Sequence, residues 1–360
     1  MHAEERHQAI LRRLRERGSL RVTDFAREVR VSPVTIRRDV ETLAGRGLLA
    51  RVHGGAVLPE SGAAVPRPVP EEQPVFGLIV PAADYYYPEV IKGAREAAAE
   101  RGVRLVLGIS RYSPEQERTQ VRQMIADGVG GLLITPCGEL DPAGVSVPYV
   151  LVERRPADDL APGPENGPAN GPATAEHVVT DHVYGAGIAV HHLASSGRRR
   201  VGLAVRDDSP HAAQIREGYR RGLAAAGLEP PADGVFRLPP PGDTAGTAER
   251  DRLLDAVTGA AGDGRLDAVL VHNDHDALGL LQRLRAHGVD VPGGIALVAY
   301  DDEVAALADI PLTAVAPPKH AVGAAAVDLL ARRLADPGRP RHRLAILPEL
   351  HVRASTSTTG

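Results

Sequence analysis

Apolar residues recur along this chain in two rhythms. From residue 1 to 59 the spacing is helical. Ile10, Leu11 and Leu14 make one stripe, and Val22, Phe25, Ala26 and Val29 make a second, whose helix Thr23 or Asp24 can cap. The stretch VSPVTIRRDVETLAGRG predicts a third helix: Ser32 suits its N-cap, Pro33 its first position, and Gly45 and Gly47 stop it. Ile36, Val40 and Leu43 share its inner face, which leaves Thr35, Arg38 and Thr42 outside and Arg37 on the shoulder. LLARVHGGAVL then reads as two strands turning at Gly54-Gly55.

From residue 75 the rhythm changes. VFGLIV (75–80), VRLVLGI (103–109), GGLLIT (130–135), VPYVLV (147–152), RVGLAV (200–205), LDAVLV (266–271) and GIALVAY (294–300) are continuous apolar runs, as strands buried on both faces require. Helical spacing fills 88–101, 114–127, 212–226 and 274–287. This alternation predicts an α/β doubly wound parallel sheet, and the length favours two lobes. Residues 60–74 read as a Pro-rich linker and 156–172 as a surface loop. The expected division is therefore a head at 1–59, a linker at 60–74 and a body at 75–360.

Charge separates the same parts. The net charge of -4 combines a head with twelve Arg against seven acidic residues and a remainder, residues 60–360, with a balance of -9. A basic head suggests a polyanionic partner for the head alone. One cysteine, Cys137, excludes an internal disulfide framework. The charged start and the lack of any long apolar run argue against a signal peptide or membrane span, so a cytoplasmic protein is expected.

Two short helices, a tight turn and a third helix with exposed Thr and Arg describe a helix-turn-helix followed by a wing. Ser32, Thr35, Arg37, Arg38 and Thr42 are the candidate DNA contacts on the helix, with Arg51 and His53 on the wing. Arg offers a fork to guanine or phosphate, and Thr can touch a base edge. Double-stranded operator DNA is the expected partner. The segment ERHQAILRRLRERGSLRVTDFAREVRVSPVTIRRDVETLAGRGLLARVHGGAV closely resembles the DeoR-type winged helix-turn-helix. Its marks are Arg6, Val31-Ser32, Thr35 to Asp39, Leu43 and Arg51 to Ala56.

In open α/β sheets, ligands sit beyond the carboxyl ends of strands. There the sequence places Asp84 with Tyr85-Tyr86-Tyr87, Glu153 with Arg154, Asn273 with Asp274, and Asp301 with Asp302. Carboxylates, an amide, an Arg and aromatic faces suit a polyol, although each polar residue alone suits a helix cap, Asp274 above all. The body also resembles the sugar-sensing domain of LacI-type repressors and related periplasmic sugar-binding proteins. DYYYPEVIKGAREAAAERG, LVERRP, RxGYxxGL, LVHNDHDALG, VPGGIALVAYDD and PELHVRAST carry that resemblance. It implies a two-lobed periplasmic-binding-protein-like fold with crossings near 180, 302–318 and 347. It implies effector contacts at Asp84, Tyr86, Tyr87, Glu153, Arg154, Arg216, Asn273 and Asp301, and a homodimer.

Against the LacI pattern, Pro317 stands where relatives carry a ligand Gln, and Asp84 and Glu153 add expected negative charge to the pocket. That favours an amino sugar over a phosphorylated one. A nucleoside or purine effector is the alternative within the same class. A transport-type binding protein or a sugar-modifying enzyme is the alternative outside it. No catalytic residue, cofactor or metal is expected, since no nucleophile elbow, phosphate loop or spaced ligand set appears.

Overall fold

The computed structural model describes residues 3–29, 31–45, 49–52, 55–57, 73–156, 175–240 and 244–357. Contacts divide the chain into two units, Met1–Glu72 and Gln73–Gly360.

The head consists of α1 (Ala3–Arg17), β1 (Ser19–Arg21), α2 (Val22–Glu28), α3 (Pro33–Gly45), β2 (Ala50–Val52) and β3 (Gly55–Val57). Ile10, Leu14, Phe25, Ile36, Val40 and Leu43 close its core. The wing has three strands, with β3 between β1 and β2. β1 was not evident in the sequence because it is only three residues long. It also explains Gly55: a Cβ there would stand 2.0 Å from the carbonyl oxygen of Leu20. Neither Thr23 nor Asp24 caps α2. Arg21 holds the N-cap position in extended conformation, without a side-chain bond.

The body begins with β4 (Val75–Val80), α4 (Tyr87–Glu100), β5 (Arg104–Ile109), α5 (Pro114–Ala126), β6 (Gly131–Ile134), β7 (Tyr149–Val152) and β8 (Glu176–Thr180). It continues through α6 (His182–Ser195), β9 (Val201–Arg206), α7 (Ala212–Ala225), β10 (Val235–Leu238), α8 (Thr244–Gly262), β11 (Ala268–His272) and α9 (Asp274–Ala286). β12 (Ala296–Tyr300), β13 (Thr313–Ala316), α10 (Lys319–Ala335), β14 (Arg343–Ile346) and β15 (Glu349–His351) complete it.

Two six-stranded sheets result, ordered β14-β8-β7-β6-β4-β5 and β10-β9-β11-β12-β13-β15. All neighbours are parallel except β13 and β15. The chain passes between the sheets at residue 181, at 317–318 and at 347–348. Strands β6, β7, β8, β9, β11 and β12 are buried almost throughout, because helices cover both faces of each sheet. α10 returns to the first lobe and packs on α4 through reciprocal glycines. A Cβ on Gly93 would stand 2.0 Å from the carbonyl oxygen of His320, and one on Gly323 2.0 Å from that of Val90.

Candidate functional site

At the head, Ser32 accepts a bond from the Thr35 amide at 3.1 Å, and the two hydroxyls meet at 2.8 Å. Arg37, Arg38 and Thr42 are exposed on α3, though the Thr42 hydroxyl donates to the Arg38 carbonyl at 3.0 Å. Asp39, between these residues and the core, is buried; Arg6 donates to it at 2.7 Å and His7 lies 3.2 Å away. Arg6 and Asp39 thus brace α1 against α3. Arg51 belongs to β2, but its side chain and all of His53 lie outside the described residues.

In the body, the strand ends are conformationally special. Tyr85, Glu153, Asp301 and Asp302 all take positive φ, at 50°, 54°, 84° and 55°, where side-chain residues are uncommon. Tyr85 and Asp301 meet across the cleft, Glu153 lines a cavity, and Asp302 pairs with Arg353 and His351. The Tyr85 hydroxyl, from the first lobe, meets Asp274 at 2.5 Å and Asp301 at 3.1 Å, both from the second. One hydroxyl proton cannot serve two ionised carboxylates. Burial pushes Asp301 up to about 6, which favours its protonated form. Asp274 is also held by the amides of Glu303 and Val304, both at 2.7 Å.

Glu153 is fully buried and heavily satisfied. It accepts from the Thr180 amide at 3.0 Å, the Thr180 hydroxyl at 2.8 Å and the Tyr86 hydroxyl at 2.8 Å. Burial raises its pKa above the usual carboxylate value, and those bonds oppose the rise. Lys319 donates to the carbonyl of Asp301 at 2.5 Å, pairs with Glu303 and lies 5.3 Å from the Tyr86 ring centroid.

Glu153, Arg154, Arg155, Thr180, His182, His211 and Gln214 line a cavity of about 340 Å³ between the two sheets. Val179, Pro156 and Pro210 give it apolar surface. The His182 and His211 rings stack with centroids 4.0 Å apart. Arg154 Nη1 stands 3.3 Å from His211 Nε2, and a guanidinium only donates, so that nitrogen accepts. Burial lowers His182 to about 3 and His211 well below its ordinary value, so both imidazoles are neutral. Glu153, His182 and His211 offer ligand atoms within 4.8 Å of one another. The Arg154 guanidinium on His211 Nε2 opposes a metal there, because it puts a cation against one of the three donors.

Among the expected effector residues, Glu153 and Arg154 line this cavity and the others do not. Asp84 is exposed and contributes its backbone carbonyl to the Tyr87 amide at 3.3 Å. Of the two carboxylates expected to add negative charge, Asp84 is outside the cavity, while Glu153 lines it with its oxygens held by internal donors. Tyr86 and Tyr87 are not cavity walls either. Tyr86 positions Glu153, while Tyr87 is buried in the first lobe's core with its hydroxyl against Arg154. Arg216 faces outward to Asp207 at 3.3 Å. Asn273 is buried and caps α9, accepting from the Asp276 amide at 3.4 Å, a role expected for Asp274. Asp301 bonds across the cleft to Tyr85.

The comparisons agree with this architecture. Residues 190–356 match a periplasmic binding protein-like domain, and residues 6–62 match a DeoR-like helix-turn-helix domain. A protein from Sanguibacter keddieii, assigned to the LacI family of transcriptional regulators, superposes with a TM-score of 0.63 at 32% identity, covering 79% of this chain and 98% of that one. This chain belongs to the LacI family of transcription regulators. A transcriptional regulator CelR–cellobiose complex is 27% identical with a TM-score of 0.62, covering 90% of this chain and 91% of the other. The arabinose metabolism transcriptional repressor of Geobacillus stearothermophilus is 26% identical over 349 residues, 92% of this chain and 90% of its own.

Sequence reasoning within this LacI-family body missed Thr180, His182, His211 and Gln214. Each stands alone in the sequence, and only the crossing at residue 181 and the loop before α7 bring them together. Lys319 did carry a signal, being one of only two lysines in the chain.

Proposed function

We propose that this chain is a homodimeric, cytoplasmic, sugar-responsive repressor whose winged head reads operator DNA and whose body senses the sugar. The observation that carries this reading is the polar 340 Å³ cavity between two sheets, in the same chain as a recognition helix that exposes Arg37 and Arg38. Relatives named for arabinose and cellobiose support a carbohydrate, and the cavity has the size of a single-ring site, near the lower end of the ~300–1,000 Å³ common for small ligands.

In this reading α3 enters the major groove, where Ser32, Thr35, Arg37, Arg38 and Thr42 meet bases and phosphates and Arg51 and His53 touch the backbone from the wing. Two heads of a dimer match the half-sites of a pseudo-palindrome. In the body, Glu153 and Arg154 contact the effector directly, and Tyr86 and Tyr87 hold those two in place. Asp84, Arg216, Asn273 and Asp301 act at the rim or across the cleft, with Tyr85 on Asp301 fastening one lobe to the other. Effector alters operator affinity by favouring one lobe arrangement over another. We assign no reaction, cofactor or metal to the cleft. Among the described residues no helix is long and apolar enough to cross a membrane.

The test is fluorescence anisotropy of the full chain on DNA from its own upstream region across a salt series. Binding should weaken steeply with salt, and Arg38→Ala should cost about 1–3 kcal/mol of specific affinity. Equal affinity for upstream and unrelated DNA would contradict the operator-reading role.

A further inference from the structure

Several arginines of the body are paired with carboxylates. Arg206 meets Asp208 at 2.6 Å, Arg250 meets Asp276 at 2.8 Å, and Arg353 meets Asp302 at 2.6 Å. Arg154 is different. It donates to its neighbour's carbonyl, the oxygen of Glu153, at 2.7 Å, faces the neutral imidazole of His211 and meets the Tyr87 hydroxyl. No carboxylate among the described residues stands within ion-pairing distance of its guanidinium. The obvious candidate, Glu153, turns its oxygens to Thr180 and Tyr86 instead.

An Arg half-withdrawn from water on a cavity wall, without a counter-charge, is matched by an anionic ligand that takes its planar fork. Two more wall atoms call for a partner. Gln214 Oε1 and His182 Nε2 are buried and make no bond within the protein. His182 Nδ1 is already 3.1 Å from the Tyr300 hydroxyl, so only Nε2 remains to serve a ligand.

We propose that the effector is a monosaccharide acid whose carboxylate seats on Arg154 and whose hydroxyls reach Gln214 and His182. The proposal rests on the sugar reading above and narrows it. At about 340 Å³ the cavity has no room for a chain of several uronates. A sugar phosphate, with close to two negative charges, would draw on Arg155 of the same wall as well as on Arg154, and the titration separates it from the acids. An amino sugar would bring a cation to that guanidinium.

Isothermal titration of the full-length protein decides the matter. The probes are D-glucuronate, D-galacturonate and D-gluconate against glucose, galactose, glucosamine, glucose 6-phosphate and hypoxanthine. One acid should bind at least about tenfold tighter than its neutral parent. Arg154→Gln should bring the acid down to the parent's affinity, and Arg154→Lys should retain part of the difference. A neutral sugar, glucosamine or the phosphate binding as well as or better than every acid overturns the proposal while leaving the sugar reading intact. Hypoxanthine binding with no response to any sugar overturns both. Should the Arg154 variants fail to fold by circular dichroism, the comparison of acid and parent on the unaltered protein still decides.

Discussion

At residue scale the cleft is held by groups kept away from their ordinary protonation. Burial lowers His182 to about 3 and His272 to about 4, while it pushes Asp301 up to about 6. The signs differ. A buried neutral imidazole gains a proton only on unfolding, so its contribution is lost as pH falls from about 6.5 toward the lowered value. That loss approaches 1.4 kcal/mol per pH unit for each fully affected histidine. Asp301 acts oppositely, keeping its proton in the native state, and its contribution is lost as pH rises through about 6. Replacing His182 by Gln removes one acid-sensitive term and leaves Asp301 in place. Urea denaturation at pH 7 and pH 4.5 should show the variant gaining about 2 kcal/mol relative to the unaltered protein on acidification. Parallel losses in both proteins would mean that His182 is not held neutral.

At element scale, what the sequence revealed and what it concealed follow from burial. Strands covered on both faces, such as β6, β7 and β11, appear as unbroken apolar runs. Edge strands β10, β14 and β15 alternate between exposed and covered positions over three or four residues, too short a pattern to stand out. The strand-end rule pointed to Glu153 and Arg154, which line the cavity, because each directly follows a legible strand. It could not find His182 or His211, since one opens a helix in the other lobe and the other ends a loop. It also pointed to Asp84, which is exposed, and the family resemblance pointed to Arg216, which pairs with Asp207; a residue near a strand end or on a nearby helix need not turn inward. The glycines of α4 and α10 give this scale its test. Gly323→Ala forces a Cβ onto the Val90 carbonyl and should cost about 2–3 kcal/mol by urea denaturation. Gly259→Ala in α8, where nothing lies within 4 Å, should be neutral or stabilising by up to about 1 kcal/mol. Similar losses at both sites would contradict the close approach of α4 and α10.

At the scale of the whole molecule, a head with five excess positive charges is joined to a linker and body with nine excess negative ones. That division keeps polyanion binding at the head and leaves the body to discriminate small ligands. The cleft gives the body a means to respond, because Tyr85 joins Asp274 and Asp301 across the lobes and Lys319 ties the crossing before α10 to Asp301 and Glu303. The most direct test of the central claim is the affinity of the full-length protein for its own upstream DNA, measured at fixed salt with and without a saturating sugar that binds the body. The coupling should shift the dissociation constant by at least about fivefold, within the 1–3 kcal/mol usual for linked sites. An unchanged dissociation constant, with the sugar shown to be bound, would contradict the claim that the cleft controls the head.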